Sequence, residues 1–128
     1  MLFPYDSRQR PVLPVTLRRG GVNLRVEGLA DSGADVNVLP WNIGIELGLA
    51  WNPNRATLRL AGVAAGAAAM PVLIEATVGH LPPVTLAFAW CESDAVPLVL
   101  GQTNFFMEFD VCFFRSRLEI SVVPKATA

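Results

Sequence analysis

The chain has 128 residues, 52% hydrophobic and only 16% charged, enough for one domain with a real core and an apolar surplus that needs a destination. A net charge of -1, with Arg18-Arg19 as its densest basic spot, argues against a nucleic-acid partner. The longest uncharged stretches, Leu60 to Ile74 and Ala76 to Cys91, are too short and too rich in Gly and Pro for a membrane span, which leaves a subunit interface as the place for the surplus.

The first ten residues, M-L-F-P-Y-D-S-R-Q-R, contain no apolar run of signal-peptide type, so a cytoplasmic location is expected. Val12 to Arg18 predicts a strand, and Gly20-Gly21 a hairpin turn. Val22, Leu24 and Val26 alternate with Asn23, Arg25 and Glu27, the period of a half-buried strand. That strand runs toward L-A-D-S-G-A-D-V-N-V-L, residues 29–39, and Val36 to Leu39 is a further short apolar piece.

Pro40 suits a first helical turn and Gly48 a residue just past a helix end, so a short helix is expected over Pro40 to Leu49. Thr57 to Leu60 and Val72 to Val78 predict strands around an alanine-rich segment, 61–69. There Gly62, Gly66 and Pro71 favour a hairpin tip over a helix. Val84 to Trp90, Pro97 to Leu100, Val111 to Phe114 and Leu118 to Val123 complete the strands, with one or two helical turns within Gln102 to Glu108. The expected class is all-β, a small closed barrel or sandwich with one or two short helices, built as one domain over 1–128 with its core at about 12–123.

Cys91, Cys112 and His80 match no zinc spacing, so no metal or other cofactor is expected. Two buried thiols are expected, and His80, in V-G-H-L-P-P, reads as a solvated loop residue.

Asp31-Ser32-Gly33 has two explanations. Asp, Ser and Gly are turn formers, and a D-[ST]-G tripeptide arises by chance in about one chain in twenty of this length. Yet a carboxylate at the end of a buried strand, followed by a small hydroxyl and a Gly that permits unusual backbone, also suits a tight loop facing a cleft. Held there, a carboxylate serves as general base toward water.

The stretch D-S-G-A-D-V-N-V-L-P followed by W-N-I-G-I-E-L-G-L resembles the retropepsin-like aspartic proteases. Their pattern is an apolar pair, D-[ST]-G-A, an aliphatic residue and a segment ending in L-G-L. P-L-V-L-G-Q-T-N-F-F resembles the family's second element, apolar-apolar-Gly before a short helix. The resemblance spans about residues 12 to 123. It implies the small closed barrel of that family, with Asp31 as the catalytic aspartate and Ser32, Gly33 and Ala34 completing its loop. Ser32 would supply hydroxyl hydrogen bonds between two such loops. Val99, Leu100 and Gly101 would back the loop. The hairpin from about Arg59 to Leu73, with Gly62, Val63, Ala64, Ala65 and Gly66 at its tip, would be a flap over substrate.

The resemblance implies an endopeptidase acting on polypeptide. A chain with one D-[ST]-G is half of a two-lobed enzyme, so a homodimer must bring two Asp31 carboxylates to one water, with Phe3, Tyr5 and the final strand as candidates for the dimer sheet. Gln102 stands where retroviral members carry Arg, which argues against their ion-pair network here, and Asp35 is expected to be solvated. Two other assignments fit the same residues: a retropepsin-like dimerisation or peptide-binding module that no longer cuts, and an unrelated β-barrel in which Asp31 is a turn residue.

Overall fold

The computed structural model describes residues 1–61 and 66–126. Its strands, in chain order, are β1 (Leu2–Pro4), β2 (Val12–Arg19), β3 (Val22–Ala30), β4 (Asn37–Leu39), β5 (Leu58–Arg59), β6 (Ala68–Val78), β7 (Val84–Cys91), β8 (Leu98–Leu100), β9 (Phe109–Phe114) and β10 (Glu119–Pro124). Two short helices, α1 (Trp41–Glu46) and α2 (Phe105–Glu108), lie between them. This is the all-β class read from the sequence.

Six strands close a ring in the order β2-β3-β8-β4-β7-β6, with β6 hydrogen-bonded back to β2. Closure depends on the eleven-residue length of β6. Its first residues, Ala68 and Ala69, pair with β5, and its last, Glu75 to Val78, pair with β2. Pro71 falls in the interval between those partners, where a missing N–H costs least. The strand therefore runs through Pro71 and starts four residues before the expected Val72.

Gly20, at φ +58°, opens the two-residue loop between β2 and β3, fixed by the Arg19–Val22 pairing. Along β3 the expected period of two holds: Leu24, Val26, Gly28 and Ala30 are more buried than the residues between them. Leu13, Leu17, Ile74, Leu86, Phe88, Leu98 and Leu100 fill the barrel interior.

Helix α1 ends as its glycine foretold. Gly48, at φ +78°, donates to the Ile45 carbonyl, and the Leu49 N–H reaches the Gly44 carbonyl at 3.0 Å, a Schellman closure. Trp41 of α1 stacks on Trp90 of β7 at 4.9 Å between centroids, and Trp51 meets both edge-on at 5.4 Å. The Trp90 Nε1–H donates to the Trp41 carbonyl at 3.2 Å. Gly44 lies flat on the Trp90 indole, and an added Cβ would overlap that ring. Gly44→Ala is therefore expected to destabilise the fold by about 1–3 kcal/mol through overpacking, read as a lower urea midpoint at unchanged slope.

Outside the ring, β1, β10 and β9 form a three-stranded antiparallel sheet. Phe3 and the final strand were candidates for a dimer sheet. Phe3 is instead 5% exposed within its own chain's core, and β10 has strands on both sides. The expectation of two buried thiols holds for Cys91 alone. Cys112 points outward from β9, and both are free. His80 lies exposed in the turn before β7, as expected.

Candidate active site

Strand order puts Asp31 where it is. β8 lies between β3 and β4, parallel to β3 and antiparallel to β4. The chain leaves β3 at Ala30, passes across the end of β8, and returns on its other side as β4. Residues 31–36 make that crossing, and residues 100–103 run beneath it.

A ladder of backbone bonds joins the two segments. The Asp31 N–H donates to the Leu100 carbonyl at 3.0 Å, and the Gln102 and Thr103 N–H groups donate to Ala34 and Asp35, each at 2.8 Å. Asn37 N–H returns a bond to the Thr103 carbonyl at 3.2 Å. Gly101 is required by this contact, since an added Cβ would stand 2.5 Å from the Val36 carbonyl oxygen and 2.8 Å from that of Ala34.

The D-S-G stretch is itself a turn. Ala34 N–H bonds the Asp31 carbonyl at 3.1 Å, and Gly33 N–H bonds Asp31 Oδ1 at 2.9 Å. The turn and the cleft are thus one geometry, and the two explanations of the motif do not compete. Gly33 does not use a positive φ, contrary to expectation; its role is to leave room, because a Cβ there would lie 3.3 Å from Asp31 Oδ1.

Asp31 is half-buried and lines a cleft of about 510 Å³ with Gly33, Ala34 and the exposed Asp35. Its walls are apolar, with Val36 and Val38 on one side, Leu60 on another, and Val96 and Val99 opposite. Val99 faces the cleft, so only Leu100 and Gly101 of the expected backing trio lie behind the loop. Leu58, Arg59, Leu60 and Ala61 border the cleft from β5 onward. The hairpin is closed at its base by Leu60 N–H to Ala67 and by Gly66 N–H, from a residue at φ +80°, to Leu60. Gly62, Val63, Ala64 and Ala65, the expected tip, lie outside the described residues. Ser32 is exposed and contributes its carbonyl, which accepts from Gln102 Nε2 at 2.7 Å. A neutral side chain thus joins the two segments where an arginine was not expected.

Two residues of this site were missed in the sequence. Asn37 is the one buried polar side chain among the described residues. Its Oδ1 accepts from Gly101 N–H at 2.7 Å, and its Nδ2 donates to the Ala87 carbonyl and to Asn104 Oδ1, both at 3.0 Å. Asn104 Oδ1 also accepts from Ala87 N–H at 3.0 Å, and its Nδ2 reaches the Thr85 carbonyl. The pair ties the Asp31 loop, its backing segment and β7 together. Asn37→Ala would strand the Gly101 N–H in a dry interior, at a cost of about 1–3 kcal/mol. A thermal melt should show that loss, and an unchanged midpoint would mean the network carries no stability.

No family model matches the sequence, and no curated protein matches it either. Similarity lies in the fold. The chain is similar to a retropepsin-like aspartic protease from Rickettsia conorii, with a TM-score of 0.73 at 11% identity, covering 96% of this chain and 97% of that one. It is also similar to the retroviral protease-like domain of Ddi1 from Leishmania major, with a TM-score of 0.61 at 16% identity over 90% of this chain and 94% of that one. An inhibitor complex of the EIAV protease gives 0.58 at 17% identity over 78% and 88%.

Proposed function

A chain that folds as a retropepsin-like aspartic protease domain, with a D-S-G carboxylate in its main cleft, is, we propose, one protomer of a homodimeric aspartic endopeptidase acting on polypeptide. The observation that carries this reading is Asp31 itself. Its backbone is fixed by Leu100, its Oδ1 is held by Gly33, and its carboxylate borders an apolar cleft.

One carboxylate cannot complete the reaction. A twofold axis beside the loop brings Asp31 of each protomer to the same water, and two carboxylates at that separation share one proton, as in the aspartic proteases generally. The ionised one takes a proton from the water as it attacks the scissile carbonyl. The protonated one gives its proton to the carbonyl oxygen, producing a tetrahedral gem-diol whose collapse expels the amine. Neither a metal nor a covalent intermediate enters this scheme.

The substrate lies extended along the cleft, its side chains against Val36, Val38 and Val99. The hairpin of β5 and β6, with Gly62 to Gly66 at its tip, acts as a flap that covers it and supplies backbone hydrogen bonds. Ser32 hydroxyls join the two loops across the axis.

The test is digestion of a peptide library over a range of pH, with cleavage sites read by mass spectrometry. Defined cuts that disappear with Asp31→Asn support the endopeptidase. A library left intact at every pH, by a protein that still binds extended peptide, would favour the non-cutting module.

A further inference from the structure

The three-stranded sheet leaves one substantial edge unused. β10 is paired on both sides, with β1 along Leu2–Ser121 to Pro4–Glu119 and with β9 along its whole length. The outer edge of β1 is three residues long and contains Pro4, which has no N–H to offer. The outer edge of β9 is six residues long, and among the described residues it makes no pairing. Natural open edges are blunted by lysine, proline or a bulge; F-D-V-C-F-F has none of these and a single charge, Asp110. Phe113 is 36% exposed on it, and Met107 of the adjoining α2 is 61% exposed.

We propose that this edge is the docking surface for a second copy of the chain, joined β9 to β9 in a continuous six-stranded sheet. The inference rests on the dimeric endopeptidase reading and says where its seam runs. The occupant is a second copy because the site lacks a carboxylate that only another Asp31 loop supplies. The edge is also close in sequence to that loop. Residues 102–108 alone lie between Gly101, which touches the loop, and Phe109, where β9 begins.

Symmetry restricts the register. A twofold axis that pairs a strand antiparallel with its own copy runs normal to the sheet, so one residue must face itself. In a six-residue strand, Val111 or Cys112 at the axis gives the longest overlap, five residues. Centring on Val111 sets Cys112 opposite Asp110 of the other copy. Centring on Cys112 sets the two thiols face to face. Neither places Asp110 opposite its own copy. In both, the two Cys112 side chains lie on one face, directly opposite or diagonal, about 4.5–8 Å apart. Cys91 is a built-in control: burial pushes its thiol up from the ordinary range and shields it from reagents.

The experiment treats the purified full chain with a short bismaleimide. It also measures the dimer dissociation constant of wild type and Cys112→Asp by sedimentation. Cys112→Asp sets like charges opposite each other in either register, and the position is exposed, so the variant should keep its melting temperature. The expected result is a covalent dimer that disappears in Cys112→Ser and persists in Cys91→Ser, with dissociation of Cys112→Asp weaker to hold by about tenfold. A dimer that neither cross-links at Cys112 nor loosens in Cys112→Asp would overturn the seam while leaving the protease reading intact. A chain that cuts as a monomer would overturn both. A cross-linked dimer that cuts nothing would support the seam and count against the endopeptidase.

Discussion

Asp31→Asn is expected to lower the cleavage rate by about 10²–10⁴-fold, the usual contribution of a positioned acid or base. The substitution is nearly isosteric. The amide oxygen can still accept the Gly33 N–H, which lies 2.9 Å from Asp31 Oδ1, and the backbone bond to Leu100 is untouched. The loop should therefore keep its shape and the protein its melting temperature. What is lost is chemical: an amide neither takes a proton from water at any working pH nor shuttles one to a carbonyl. The measurement is turnover of a cleaved library peptide by both proteins, together with their thermal midpoints. Undiminished turnover in the variant would remove Asp31 from the mechanism.

Mixing wild-type and Asp31→Asn chains should leave about a quarter of the activity, after subunit exchange at equal concentrations. A shared site needs both carboxylates, and random pairing gives one wild-type dimer in about four. If each chain carried its own complete site, about half would remain. Dilution separates the same cases, because dissociation parts the two carboxylates and specific activity should fall as protomer concentration falls. An activity that follows the wild-type fraction linearly and ignores dilution would rule out the shared pair.

Much of this architecture is legible in the sequence because it rests on local signals. The alternation through Val22 to Glu27, the Gly20-Gly21 turn and the Gly48 helix end all appear as read, since each depends on a few adjacent residues. The losses have physical causes. β1 is three residues long and its partner is at the other end of the chain, so nothing near Leu2 announces it. The start of β6 is hidden by alanines that suit a helix as well as a strand.

Asn37 was hidden by phase. In Val36-Asn37-Val38-Leu39 the valines line the cleft, while Asn37 and Leu39 face the interior. An asparagine inside and valines outside is the reverse of the usual pattern, and one short strand with three apolar residues does not show which way it faces. The one available signal was the pairing of Asn37 with a second asparagine, Asn104, just after the L-V-L-G element. The cleft itself was legible only through the motif resemblance, because its walls come from segments as far apart as Val36 and Val96.

The clustering of Trp41, Trp51 and Trp90 has a consequence for anyone who works with the protein in solution. These are the chain's only three tryptophans, and their rings lie within 5.4 Å of one another. Excitation absorbed by any of them is shared, so the intrinsic fluorescence of the molecule behaves as a single lamp placed under α1. It will report sensitively when that helix comes away from β7. None of the three lines the cleft or belongs to β9, so the lamp is poorly placed to report peptide entering or a second copy joining. Optical titration of either event calls for a tryptophan or dye introduced elsewhere.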